Sequence, residues 1–247
     1  MCTIPRYSFV LAAFCCSLSG EAIRPEVRLA IMLRYLAGGA TEDLRMIYGV
    51  SLGEVYSSIW RAVDAVNRAL VVDFPINDSA KLAVLEAEFR AGSRSTSWAG
   101  QVGAVDGVHF RMKNPGVAVD DPLAYYVHRK SEYALLATAV CDARCRFLFW
   151  SFDCKPTVHD SVAWSQCELG MKVASGELPS EYFLNGDAAY NVGDQMVVPY
   201  GTPGYTDFDY VQSSNRIVIE RAFGVMIRRC SPLPLTPSQQ TPLKSHA

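Results

Sequence analysis

Three acids stand out by the runs that carry them: Asp106 in AVDGVHF, Asp187 in FLNGDAAY and Glu220 in RIVIERAFG. The two aspartates sit in strand-like runs and the glutamate in a helix-like one. Two strand-borne aspartates and one helix-borne glutamate can converge on a pair of divalent cations about 4 Å apart, a pair that clamps the attacking and leaving oxygens of a phosphodiester during in-line displacement. Mg²⁺, or Mn²⁺ in its place, suits such a site because it takes few carboxylates and keeps positions open for phosphate and water. The chain holds 25 Asp and Glu, so spacing alone produces many trios, and the local context of each acid carries the reading.

Other chemistry-bearing residues are less pointed. Cys2, Cys15, Cys16, Cys141, Cys145, Cys154, Cys167 and Cys230 include no CxxC pair. Cys141, Cys145, Cys154, His159 and Cys167 can be assembled into a zinc site on paper, but their spacing matches no standard zinc pattern. Cysteines scattered through apolar runs read as reduced core residues, which fits a reducing compartment. The net charge is −2. A protein that holds nucleic acid unaided usually shows a basic surplus, because neutralising phosphates supplies much of the affinity. DNA would therefore need metals, a partner, or a local patch drawn from Arg111, Lys113, His128, Arg129, Lys130, Arg216, Arg221, Arg228 and Arg229. Each of these also reads as ordinary solvated surface. Arg216, one helical turn before Glu220, reads either as its ion-pair partner or as a phosphate ligand. His109 alternates to the far side of its strand from Asp106 and reads as a packing or DNA-facing residue. Tyr125 and Tyr126, beside His128-Arg129-Lys130, suit base stacking or a core.

Several elements must position these groups. Residues 1–24 form an atypical apolar start whose run Tyr7 to Leu18 reads as a buried element or a signal segment, and is too short to span a bilayer. Residues 25–72 predict three short helices. Pro25 opens the first, Thr41 caps the second and Gly49 closes it, and Ser51 caps the third. That outline is helix-turn-helix-like, and reads equally as an accessory bundle. Residues 73–100 read as a connection holding one helix over 80–92 and the polar run GSRSTS. Strands are expected at Val102 to Met112, Tyr133 to Cys141, Arg146 to Phe152 and Tyr182 to Gly186. A helical segment is expected after His159-Asp160-Ser161 to about Val173, and a final helix from Ser213 to Arg229. This order makes a mixed α/β catalytic domain over residues 101–230 with acids at strand ends. The tail 231–247 holds four prolines and little apolar periodicity, and reads as disordered.

In order along the chain come VDGVHFRMKNP, YYVHRKSEYALLATAVCD, a Pro followed shortly by HDS, FLNGDAAY, VPY and SSNRIVIERAFG. Together these resemble the PIF/Harbinger-type DDE transposase superfamily and its domesticated relative, the Harbinger transposase-derived nuclease, from about residue 25 to about 230. The resemblance implies an RNase H-like fold and assigns Asp106, Asp187 and Glu220 as catalytic, metal-binding acids, with Mg²⁺ or Mn²⁺ as cofactor. Such enzymes cut the transposon end hydrolytically, and the freed 3′-hydroxyl then attacks target DNA. Asp160 is a feature of the family pattern and reads as a helix cap or a support behind the metal ligands. Arg129, Lys130, Arg216 and Arg221 are the DNA-binding candidates. The resemblance further implies a nuclear protein, cytoplasmic when its partner is absent, that acts with a separate Myb/SANT-like DNA-binding protein, as a homo-oligomer and with no membrane.

Four departures bear on that picture. His128 stands where Asn is usual before Arg129-Lys130, and Lys155-Pro156-Thr157-Val158 replaces a Pro-Gly-Ser turn. The family pattern continues past the glutamate helix where this sequence turns Pro-rich at Ser231, and the first two dozen residues match no family entry segment. The last two read as a C-terminally truncated or mispredicted copy. The expectation is thus a metal-dependent endonuclease or transposase, the alternative an inactive transposon-derived DNA- or protein-binding scaffold. A secreted hydrolase rests on the apolar start alone.

Overall fold

The computed structural model describes residues 23–191, 193 and 195–230. The apolar start, apart from its last two residues, and the Pro-rich tail lie outside the described residues. The chain divides into two compact units, whose described parts are residues 23–71 with 227–230, and residues 72–226.

In the first unit, α1 (Pro25–Leu36) starts on a proline whose fixed φ suits a first turn. Helix α2 (Thr41–Tyr48) ends at Gly49 in the left-handed region, φ 64°. Its cap position is Ala40 without a side-chain bond, so the expected cap, Thr41, is instead the first helical residue. Helix α3 (Leu52–Ala69) opens on a capping box in which Ser51 and Glu54 satisfy each other's backbone N–H. Ile31, Met32, Leu44, Val55, Ile59, Ala62 and Ala65 interlock as the core. The buried Arg28 donates to Ser58 Oγ at 2.9 Å, tying α1 to α3.

The second unit is built on a mixed six-stranded sheet. Its centre is β1 (Gln101–Met112), antiparallel to β3 (Glu132–Cys141) with Asp106 opposite Ala139. The two-residue β2 (Tyr126–Val127) and β4 (Phe147–Ser151) both pair with β3. On its other edge β1 runs parallel to β5 (Phe183–Asn185), which pairs parallel with β6 (Met196–Val197). The β3–β4 turn is held by the fully buried Asp142, whose Oδ1 accepts from the N–H of Arg144 and Arg146. This mixed α/β arrangement is consistent with an RNase H-like domain.

The core divides about β1, where a register shift between Gln101 and Gly103 interrupts simple alternation. Val102 and Val105 join Val140, Leu184, Leu82 and Leu85 of α4 (Ser79–Gly92), and Leu169. Ala104 joins Ala139 and Cys141 against Ile219, Ala222 and Phe223 of α7 (Thr206–Arg229). The helical stretch after Asp160 is two helices, α5 (Asp160–Gln166) and α6 (Glu168–Ala174). Cys167 breaks it by accepting the Gly170 N–H on its sulfur at 3.3 Å. At Gly170 a Cβ would fall 1.9 Å from the Trp164 carbonyl, so the junction requires glycine. Helix α7 begins at Thr206, seven residues before the expected Ser213.

Candidate active site

Asp106 and Asp187 owe their positions to strand register. Ala104 of β1 pairs with Asn185, the last residue of β5. Asp106 lies two residues beyond Ala104, and Asp187 two residues beyond Asn185. Neighbouring strands run about 4.8 Å apart, so the two acids leave adjacent parallel strands at matching levels, where β5 has ended and β1 continues. Each carboxylate is held by backbone nearby: the Gly107 N–H donates to Asp106 Oδ1 at 2.8 Å, and the Ala189 N–H to Asp187 Oδ1 at 2.9 Å.

The third acid arrives on α7, which presents Gln212, Arg216 and Glu220 at i, i+4, i+8 along one face. Gln212 is fully buried, and its Nε2 donates to Asn185 Oδ1 and to the Gly186 carbonyl, both at 2.6 Å. Asn185 Nδ2 returns a bond to the Gln212 carbonyl at 3.0 Å, and Trp98 Nε1 donates to Gln101 Oε1 at 2.6 Å behind it. This buried polar network fixes α7 on the end of β5 just before Asp187. Sequence reasoning passed over Gln101, Asn185 and Gln212. The signal was present in the four-residue spacing from Gln212 to Arg216 to Glu220, and in an amide at the end of an apolar strand.

Arg216 bridges two of the acids. One guanidinium nitrogen lies 3.7 Å from Asp106 Oδ2, and another donates to Glu220 Oε1 at 2.6 Å. The Glu220 side chain is half exposed, while those of Asp106 and Arg216 are about one-fifth exposed. Burial pushes the Asp106 carboxyl up to about 6, against the Gly107 N–H and Arg216, which favour its charge; Asp187 and Asp160 add to the rise. Asp160 comes close because residue 107 is glycine: a Cβ there would lie 2.7 Å from Asp160 Oδ1. It is the first residue of α5, and His159 occupies the cap position, so Asp160 is not the helix cap. Tyr190 completes the surroundings. It is 3% exposed, its hydroxyl has no hydrogen-bond partner among the described residues, and the charges of Asp106, Asp160 and Asp187 reach it.

Among the described residues, no three His, Cys, Asp or Glu side chains stand as a ready-made metal-binding group. The donor set nonetheless fits a hard divalent cation: carboxylates gathered with one pushed towards neutrality, a glycine that makes room for another acid, and an orphaned buried hydroxyl beside them. Glu220 is paired with Arg216 and half exposed. His109 Nε2 stands 3.0 Å from the Pro156 carbonyl and Nδ1 3.4 Å from Lys130 Nζ, so Nε2 carries the proton and His109 ties a loop to Lys130. Arg129, Lys130 and Arg221 are exposed, and among the described residues no ion pair links them to the acids. Cys141 and Cys167 are free and buried, and burial raises both thiols. Among the described residues no helix is long and apolar enough to cross a membrane.

Residues 105–241, more than half of the 247, match the family model described as DDE superfamily endonuclease. No curated protein and no solved structure matches the chain.

Proposed function

We infer that this chain, which belongs to the DDE superfamily endonuclease family, cuts DNA phosphodiester bonds with Asp106, Asp187 and Glu220 as the acids that hold divalent cations, Mg²⁺ or Mn²⁺. The observation that carries the reading is the register of β1 and β5, which sets Asp106 and Asp187 at matching levels with Arg216 and Glu220 on the facing helix. Bound cations supply the Lewis acidity and the activation of water that phosphodiester hydrolysis needs. The chain's own residues supply the rest. Asp106 and Asp187 are held by neighbouring backbone N–H groups. Arg216, partly buried beside them, is positioned to exchange its carboxylate partners for a phosphate oxygen, since guanidinium suits either.

The subtype is PIF/Harbinger on the strength of the ordered motifs. In that reading the residue 25–72 helices are a helix-turn-helix-like domain assisting DNA or subunit contacts. A Myb/SANT-like partner brings the DNA, which suits a net charge of −2, and the protein works in the nucleus as a homo-oligomer.

A second reading, an inactive transposon-derived scaffold, draws support from Glu220 being paired with Arg216 and half exposed. Nicking of supercoiled plasmid by the purified chain separates the two. Activity with Mg²⁺ or Mn²⁺ that EDTA, Asp187→Asn and Glu220→Gln each abolish supports the nuclease. A folded wild type that stays inert when the DNA-binding partner is supplied supports the scaffold.

A further inference from the structure

Tyr190 is the group at this site that the proposed reaction does not use. Its ring is locked on two sides: it packs edge-on against Trp164, centroids 6.4 Å apart, and a Cβ on Gly186 would already meet it at 3.0 Å. The hydroxyl is therefore placed by the core and cannot swing out to water. Yet it has no partner among the described residues, although a buried hydroxyl without a hydrogen bond is costly. Its backbone N–H donates to the Asp187 carbonyl at 3.2 Å, which places the residue beside that acid. A buried phenol hydroxyl without a partner is a donor in search of an acceptor oxygen. In most native proteins an orphan of this kind is satisfied by a bound group or its water.

We propose that Tyr190 is a positioning residue whose hydroxyl would donate to an oxygen of the hydrated divalent cation that Asp106 and Asp187 would hold. The inference rests on the metal-site reading above. Groups behind first ligands usually change metal affinity about 10- to 100-fold when removed.

The test is Mn²⁺ binding by the full chain, read by electron paramagnetic resonance of free Mn²⁺, for wild type, Tyr190→Phe and Asp187→Asn, with melting of each in EDTA. The expected result is about tenfold weaker Mn²⁺ binding by Tyr190→Phe. Its melting temperature in EDTA should be equal to or above wild type, because phenylalanine fills the same space without an orphaned hydroxyl. Equal Mn²⁺ affinity for wild type and Tyr190→Phe overturns the proposal while leaving the metal site intact. A lower melting temperature in EDTA also overturns it, because the hydroxyl would then have a protein partner. Wild type binding no more Mn²⁺ than Asp187→Asn overturns the metal-site reading itself, and this inference with it.

Discussion

Asp106→Asn should make the metal-free protein more stable at neutral pH, although it removes the residue most central to the proposed chemistry. Asp106 rises from an ordinary 3.8 to about 6 in the folded chain, with burial as the main cause. Because the folded value lies above the ordinary one, Asp106 contributes stability that is full below about pH 3.8 and is lost as the pH rises through about 6. The difference is about two pH units, at about 1.36 kcal/mol each, or about 3 kcal/mol. Its side chain is about one-fifth exposed, so screening by water trims this to about 2–3 kcal/mol. Asparagine keeps an oxygen for the Gly107 N–H, does not ionise, and avoids the loss. Urea unfolding in EDTA at half-unit steps from pH 4 to 8 reads the difference. The wild type should weaken relative to the variant between about pH 4 and 7, and the curves should meet at the acid end. Parallel curves, or a variant less stable than wild type at pH 7.5, would refute the argument that Asp106 is ionised at a cost.

Other expectations follow from the same geometry. Arg216→Gln removes a cation that favours the charge of Asp106, so the wild-type loss of stability towards neutral pH should steepen in that variant, read by the same unfolding series. Gln212→Ala leaves Asn185 Oδ1 and the Gly186 carbonyl without their donor. It should cost about 2–4 kcal/mol in urea unfolding, since each buried group left unsatisfied costs about 1–3 kcal/mol. Gly107→Ala would place a Cβ 2.7 Å from Asp160 Oδ1, the end of a movable side chain. The fold should survive at a cost of about 1–3 kcal/mol, and calorimetry should show weaker Mn²⁺ binding as Asp160 is pushed off. Adding Asp160→Ala to Gly107→Ala should remove the stability cost, and failure to do so would place the clash elsewhere.

Where local rules suffice, the sequence was legible. The Ser51 cap and Gly49 delimit helices from side-chain and φ requirements that act within four residues, and the structure adds Glu54 to the cap. The apolar runs of β1, β3 and β4 were readable for the same reason. The split at Cys167 was missed because both halves keep a helical pattern, and only the close approach of Gly170 to the Trp164 carbonyl shows the break. The strands β2 and β6 are two residues each, too short for any period to register. The early start of α7 at Thr206 hid in a stretch of mixed polar and aromatic residues.

What the sequence by itself determined is the elements that bear the three candidate acids: Asp106 on a strand, Asp187 just past another, Glu220 in a helix. Residue type, period and motif order are properties of the chain, and they also carried the family. What only the tertiary structure decided is how these groups meet. Parallel pairing of Ala104 with Asn185 sets the two aspartates level, across about 80 residues of chain that no local pattern spans. The Asn185–Gln212 network docks α7, and Arg216 then takes the place between Asp106 and Glu220. The rise of Asp106 and the orphaned hydroxyl of Tyr190 follow from burial among distant neighbours. Burial and register are long-range quantities, fixed only when the sheet and its helices have closed on one another.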